Sequence, residues 1–332
     1  MDEVARHVPS PVLVTGATGF IGRRLVDRLI SAGFRVRVLV LPDDPVPAHW
    51  HGGANVITGD ISDPESVHAA MKDCGAVFHL AAVVGDWGPE SLYRSVTVDG
   101  TRYVFQAAME QGTRVVLASS IVVYGHHLRR ERCEESLQMG KPYGPYSRSK
   151  QQQERLAAEF AGSSGDVRIV RPANVYGPHS GPWVEEAVKV LASGAPSLVS
   201  GGRNNAGLVH VDNVVDIMLR AAGQAAESGD VFNACDELPV TWARYFGDLA
   251  RLVDAPAPKS LPAWLVWSLA RVMESGGRAL RLQSRPTLTR EAVNLISAGN
   301  DIPAKRAREV LGHETLVGYE AGLAGIAESL SE

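Results

Sequence analysis

Cysteine is scarce: Cys74, Cys133 and Cys235 are the only three in 332 residues. They stand far apart and form no CxxC pair. That excludes a disulfide framework and a thiolate metal site, so no metal is expected, and a reducing cytoplasmic location is the simpler expectation. An excess of basic charge is also missing. The 33 Lys and Arg face 37 Asp and Glu, for a formal charge of -4, which leaves no cationic field to gather nucleic acid. No run approaches the ~20 apolar residues that span a bilayer. The apolar stretch "LPAWLVWSLARVM" (261–273) is too short and meets Glu274. It is expected to form a buried packing helix, with a place on a membrane surface (a peripheral contact) or along an apolar pocket as the alternatives. The opening "MDEVARHVPSPVLVTG" carries two acids and runs into a strand, so no signal peptide is read there. Internal repeats and low-complexity segments are absent.

What remains is an ordinary globular composition, 45% hydrophobic and 21% charged, long enough for one large α/β domain with an appended lobe. The first half alternates strand-like and helix-like runs: "PVLVTG" (11–16), "GRRLVDRLISAG" (22–33), "FRVRVLVL" (34–41), "NVITGD" (55–60), "SVHAAMKDC" (66–74) and "AVFHLAA" (76–82). A helix near 91–112, "RVVLASS" (114–120), a helix from about 145 to 161 and "VRIVRP" (167–172) follow. Short apolar runs separated by amphipathic helices predict a doubly wound parallel sheet. Residues 1–172 are read as a Rossmann-type dinucleotide domain that carries the catalytic residues. Residues 173–332, richer in Gly, Pro and Asn and mostly helical, are read mainly as a substrate lobe, with some segments returning to the core. Such a lobe would lie above the carboxyl ends of the strands, where open α/β sheets bind ligands.

"VTGATGFIG" (14–22) joins the first strand to the first helix and spaces Gly16, Gly19 and Gly22 as GxxGxxG. The first glycine permits a tight turn, the second a close approach of pyrophosphate, the third close packing of helix on strand. The helix N-terminus offers N–H donors to the phosphates. Asp60 in "GDISD" is placed to accept from an adenine amino group, and the small Ala81 and Ala82 in "HLAA" let a cofactor pass near the backbone. In "VLVLPDDP", where an acid would bind the ribose of NAD and an arginine the 2′-phosphate of NADP, Val40 and Leu41 precede Asp43 and Asp44. The acids favour NAD. Arg23 and Arg24 leave NADP open.

"YSRSK" sets Tyr146 and Lys150 four apart, on one helix face, beyond "ASSIVVYG" at the end of the fifth strand. A lysine there would lower the phenol from its ordinary ~10 toward the working range. Ser120 would hold the substrate oxygen while Tyr146 exchanges its proton. The set suits oxidation of a secondary alcohol or reduction of a ketone.

In their order, "TGATGFIG", "GDISD", "HLAA", "SSIVVYG", "YSRSK", "RPANVYGP" and "VHVDNV" resemble the extended short-chain dehydrogenase/reductase family over nearly the whole chain. The resemblance implies a sheet of about seven strands, an enzyme with a serine–tyrosine–lysine set, and a homodimer formed through a helix bundle that includes the YxxxK helix. It places Thr18, Phe20, Ile21, Ile61, Leu80, Pro172, Asn174 and Val175 beside the glycines, Asp60, Tyr146 and Lys150 along the cofactor. It prefers Ser120 over Ser119 as the catalytic serine. Many relatives read "NVxGT" where this chain reads "TVDGT", so Thr97 stands in for an asparagine.

Two branches of the family compete. Sugar-nucleotide epimerases and dehydratases often carry a "GxxxxRDF" segment whose arginine binds the nucleotide diphosphate. Here "GGRNNAGLVHVDN" puts Ala206 and Gly207 at those positions, although Arg203 is near and Asn174 fits the sugar branch. The 3β-hydroxysteroid dehydrogenase-like group is resembled by "AAVVGDWGP" with Val84 and Trp87, by "SGPWVEEAVKVLASGAPSLVSGG" with Trp183, and by the C-terminal segment. Trp264 and Trp267 add aromatic surface. The expectation is hydride exchange with an apolar alcohol or ketone, with a nucleotide-sugar enzyme as the alternative. A non-catalytic NAD(P)-binding regulator would typically have lost the tyrosine or the lysine, and both are present.

Overall fold

The computed structural model describes residues 7–331. The start of the N-terminal reading therefore lies outside the described residues. Among the described residues eleven strands form: β1 (Val12–Thr15), β2 (Val36–Val40), β3 (Ala54–Thr58), β4 (Ala76–His79), β5 (Arg114–Ala118), β6 (Val167–Pro172), β7 (Asn174–Tyr176), β8 (Pro196–Val199), β9 (Leu208–His210), β10 (Val231–Ala234) and β11 (Lys259–Leu261). Seven make one sheet in the order β10-β6-β5-β4-β1-β2-β3, every pair parallel. The order reverses between β1 and β4. That switch point opens a crevice at the carboxyl ends of the strands. β10 comes from the second half of the chain and completes the sheet against β6, so that half does return to the core.

The helices are α1 (Phe20–Ser31), α2 (Pro64–Met71), α3 (Glu90–Leu92), α4 (Gly100–Gln111), α5 (Pro145–Gly162), α6 (Glu186–Ala192), α7 (Val211–Ala221), α8 (Trp242–Leu252), α9 (Ala263–Ala279), α10 (Arg290–Ser297), α11 (Lys305–Glu309) and α12 (Tyr319–Ser331). Local signals set their ends. Asp63 caps α2 by accepting from the N–H groups of Glu65 and Ser66, with Pro64 at the first turn. Pro145 opens α5, and Gly112, at φ 66, closes α4 in the left-handed region. Between α3 and α4 the chain passes through a wide π turn, Tyr93–Asp99.

Core strands such as β1 and β4 are buried at every position, because helices cover both faces of the sheet. Leu25, Val26 and Leu29 of α1 pack with Val214, Ile217 and Met218 of α7 on one face. Val67, Val104 and Phe160 from α2, α4 and α5 pack on the other. A second core beyond the sheet joins α6, α8 and α12 through Leu191, Trp242, Tyr245 and Ile326. A smaller one, Val199, Val266, Ala270 and Val293, seats α9 and α10.

The expectation of a buried helix at 261–273 holds for one stripe only. Val266, Ala270, Glu274 and Gly277 face inward, while Trp264 and Val272 are 71% and 70% exposed. No described helix is long and apolar enough to cross a membrane.

Candidate active site

The glycine turn after β1 is a cradle that side chains would fill. Gly16 sits at φ +67, and a Cβ there would come 2.7 Å from the Ala81 nitrogen. A Cβ on Gly22 would lie 2.2 Å from the Gly16 carbonyl oxygen. Gly19 starts α1 with no side-chain cap and no acid in the first turn, so the positive end of a 12-residue helix opens at the crevice. A dinucleotide fits this construction, since its pyrophosphate would take the N–H donors that nothing in the chain caps. Phe20 and Ile21 form the first turn of α1, and Leu80 to Ala82 follow β4 beside Gly16.

Around the end of β2 the polar contacts are specific. Thr18 donates its hydroxyl to Asp44 at 2.8 Å. Arg23 donates to the carbonyls of Thr18 and Pro45, and Arg24 forms a two-pronged pair with Asp212 at 2.9 and 2.7 Å. Both arginines therefore have protein partners, and an acid stands at this edge. Asp60 accepts from the Ser62 N–H, and Ile61 is buried against Gly100.

Ser120, Tyr146 and Lys150 meet at the ends of β5 and α5. The Ser120 hydroxyl is close enough to Tyr146 to favour the ionised phenol, and it accepts from the Val122 N–H at 3.4 Å. Ser119 instead is buried and donates to the buried Glu154, whereas Ser120 is partly exposed. Lys150, 3% exposed, donates to the Ala118 carbonyl at 2.7 Å and to Gln153 at 2.9 Å. Its ammonium lies 5.9 Å from the centre of the Tyr146 ring.

The electrostatics differ from the expectation that Lys150 draws the phenol down. Burial pushes Tyr146 up to about 12, the Ser120 hydroxyl opposes that shift, and Glu291 and Tyr93 add to it. Burial pushes Lys150 down to about 7, with Glu154 pulling the other way. Desolvation dominates at both groups, because each loses water while the ammonium points at a carbonyl rather than at the phenol.

Several supporting residues were not legible in the sequence. Gln153 donates to Thr101 at 2.6 Å, and Thr101 in turn bonds His79 and the Thr97 carbonyl. His79 reaches back to Thr15 at 2.8 Å, and burial pushes it down to about 3, so it is neutral. A buried polar chain thus holds Lys150 from beneath. Thr97 lies in the π turn, buried, and its hydroxyl accepts from the Val83 N–H at 3.0 Å. Glu154 pairs with Arg171 through both oxygens, at 2.9 and 2.6 Å, behind the serines. Glu291, from α10, meets the first turn of α5: its oxygens lie 3.0 Å from the Ser147 nitrogen and 3.0 Å from the Ser147 hydroxyl. Burial pushes Glu291 up to about 8. An acidic residue 144 positions from its partner leaves no local signal.

The substrate-side expectations separate. Trp87 donates its indole N–H to the Leu282 carbonyl and packs on Gly277 of α9. Val84, in the same loop, is 73% exposed. Asn174, buried, donates to the Ala206 carbonyl and so braces β7 against β9, with Val175 beside it and Pro172 ending β6. Trp183, partly buried, packs on Trp242 with the rings tilted and 5.0 Å between their centres, against the core of the second lobe. Trp267 lies against Tyr143 and under Arg129. Around Ala206 the polar groups hold the chain itself: Asn204, Asn205 and Asn300 donate to the carbonyls of Ser297, Leu238 and Asn205. Among the described residues no group of three or more His, Cys, Asp or Glu is placed to hold a metal ion.

Comparison with known proteins agrees with this architecture. The chain is 27% identical, over 95% of each sequence, to the 4-hydroxy-2-methyl-3-oxo-4-farnesyl-3,4-dihydroquinoline-1-oxide ketoreductase of Stigmatella aurantiaca. It is 25% identical to the 2-alkyl-3-oxoalkanoate reductase of Shewanella oneidensis, over 99% of this chain and 88% of that one. Among solved structures, MoeE5 in complex with UDP-glucose and NAD superposes with a TM-score of 0.73 at 26% identity, covering 97% of this chain and 99% of the other. The sequence profile of the NAD dependent epimerase/dehydratase family matches residues 12–235, which span the glycine cradle, the Ser120–Tyr146–Lys150 cluster and the whole central sheet. The chain belongs to the NAD-dependent epimerase/dehydratase family, within the extended short-chain dehydrogenases/reductases.

Proposed function

We propose that this enzyme exchanges a hydride between NAD(H) and an apolar ketone or secondary alcohol, with Tyr146 as the proton donor and acceptor. The observation that carries the choice of substrate is the wall at 204–207. Ala206 is fully buried, its carbonyl accepts from Asn174, and the neighbouring asparagines bind backbone, so residues 204–207 themselves offer a diphosphate no cation, and Arg203 just before them is exposed. α10 packs against the first turn of α5 through Glu291, and α9 beside it adds Val266 and Ala270 to a small apolar cluster with Val293. The two ketoreductase relatives support the same reading.

Gly16, Gly19, Gly22 and the start of α1 would hold the pyrophosphate, and Asp44 with Thr18 would meet the adenosine ribose. Asp44 there repels a 2′-phosphate and Arg24 is held by Asp212, which favours NAD over NADP, while Arg23 stands at the same edge on the carbonyls of Thr18 and Pro45. The bound nicotinamide would supply or take the hydride. The rest is done by the chain. Ser120 orients the substrate oxygen toward the Tyr146 hydroxyl, and Tyr146 gives that oxygen a proton as the ketone becomes an alcohol. Lys150, held by Ala118 and Gln153 with its ammonium 5.9 Å from the centre of the Tyr146 ring, offsets part of the burial cost of the tyrosinate left behind.

The test is nicotinamide absorbance with both cofactors and a panel of 3β-hydroxysteroids, long-chain β-hydroxy acids and ketones, and UDP- and dTDP-sugars. Net NADH change with an apolar member is expected. Sugar interconversion without net change of cofactor would overturn the reading.

A further inference from the structure

The outward face of α9 is built contrary to the usual pattern of a surface helix. Its inward stripe contains the one acid, Glu274, 3% exposed and bonded to Arg290. Its outward side carries Trp264, Ser268, Val272, Ser275 and Ala279, all exposed, with Arg271 and Arg278 along one edge and no acid. A helix packed on a domain ordinarily turns charge outward. Leu269 on its flank and Leu280 and Leu282 just past its end are exposed too, so five of the 13 exposed large apolar side chains lie within 264–282. That concentration marks a surface with a partner, since scattered exposed residues need none.

Charge identifies the partner. Between residues 255 and 290 Glu274 is the only acid, against Lys259, Arg271, Arg278, Arg281, Arg285 and Arg290. Arg285 is paired with Asp86 and Arg290 with Glu274, whereas Arg271 and Arg281 are exposed and pair with no acid among the described residues. This local excess of positive charge sits on a chain whose net charge is -4. An apolar arc with a tryptophan at its start and arginines along its edge has the chemistry of a helix that lies in the headgroup region of an anionic bilayer.

We propose that α9 and the turn after it dock this enzyme on an anionic lipid surface. Trp264, Val272, Leu280 and Leu282 enter the interface, and Arg271 and Arg281 meet the lipid phosphates. The loop behind this face belongs to the candidate site. Trp87 packs on Gly277 and bonds the Leu282 carbonyl, and Asp86 grips Arg285 through both oxygens. Docking therefore sets the mouth of the crevice at the lipid boundary, where an apolar substrate partitions. That consequence rests on the proposed function, while the docking itself does not.

The experiment is flotation of the full chain, without substrate, with vesicles of phosphatidylcholine containing about a third phosphatidylglycerol. The wild type is expected to float with them, to float far less with pure phosphatidylcholine, and to be released near 1 M salt, where screening acts within ~3 Å. Replacing both Arg271 and Arg281 with Gln should lower partitioning about thirtyfold, the effect of two surface cations at ~1 kcal/mol each. Trp264→Ser with Val272→Ser should abolish flotation with an unchanged circular dichroism spectrum, and Val272→Ser alone, the gentler change, should weaken it. A wild type that stays off anionic vesicles would overturn the proposal. So would a dimer in light scattering that Trp264→Ser with Val272→Ser splits, because the face would then belong to a protein contact. Vesicle binding by a protein that reduces no ketone would sink the proposed function and leave the docking intact.

Discussion

Replacing Glu291 with Gln should remove a pH-dependent weakness that the wild type carries beside its Tyr146 helix. The carboxyl sits 4% exposed against the first turn of α5, and its value rises from 4.5 to about 8. A carboxyl whose folded value lies above its unfolded one binds more protons in the native state through that interval. Its stabilising contribution is full below pH 4.5, declines as pH rises, and is gone above about pH 8. Three to four pH units at ~1.4 kcal/mol each make the loss on the order of 5 kcal/mol. Glutamine copies the protonated acid: its carbonyl accepts from the Ser147 N–H and its amide donates to the Ser147 hydroxyl. The assay is urea unfolding of both proteins between pH 5 and 9. Lys150, shifted down to about 7, makes each protein more stable as pH rises above 7, the opposite sign, so neither curve alone is diagnostic. The difference between the two curves cancels Lys150. The Gln variant should gain on the wild type by several kcal/mol from pH 5 to 8 and hold that gain above. Parallel curves would show that Glu291 is ionised in the fold at neutral pH and would refute the reasoning.

Four other substitutions probe the cluster and its cofactor edge. Ser120→Ala should cut kcat about a hundredfold through loss of the bond to the substrate oxygen. Ser119→Ala should leave kcat nearly unchanged while costing ~1–3 kcal/mol of stability, because its hydroxyl serves Glu154; steady-state kinetics and urea unfolding separate the two. Glu154→Gln leaves Arg171 buried without its countercharge and should destabilise by about 3–5 kcal/mol, read as a fall in Tm. Asp44→Asn should raise NADPH affinity relative to NADH on the order of tenfold by removing a repelling charge, measured by quenching of intrinsic fluorescence.

The sheet was legible because its signals are local. Each core strand is a short apolar run between helices, and Gly16, Gly19 and Gly22 announce a turn that larger residues cannot make. Tyr146 and Lys150 were legible for the same reason, since four residues make one helix face. Glu154–Arg171, Glu291–Ser147 and the path from Lys150 through Gln153 and Thr101 to His79 were not. Those partners meet only once the sheet and second lobe exist, and a glutamate or glutamine on a helix reads as a solvated residue. The sign of the Tyr146 shift was missed for a related reason. Spacing shows that a lysine is near, but burial decides which effect wins. The 261–273 stretch shows the limit of composition: its apolar content was plain, but not that half of it faces outward.

The central claim is that Tyr146 carries the proton. The most direct measurement is single-turnover oxidation of NADH by Tyr146→Phe, with whichever ketone the panel identifies, followed by absorbance beside the wild type. The account predicts a loss of 10²–10⁴-fold in the chemical step with the Kd for NADH essentially unchanged. Turnover equal to the wild type would contradict it.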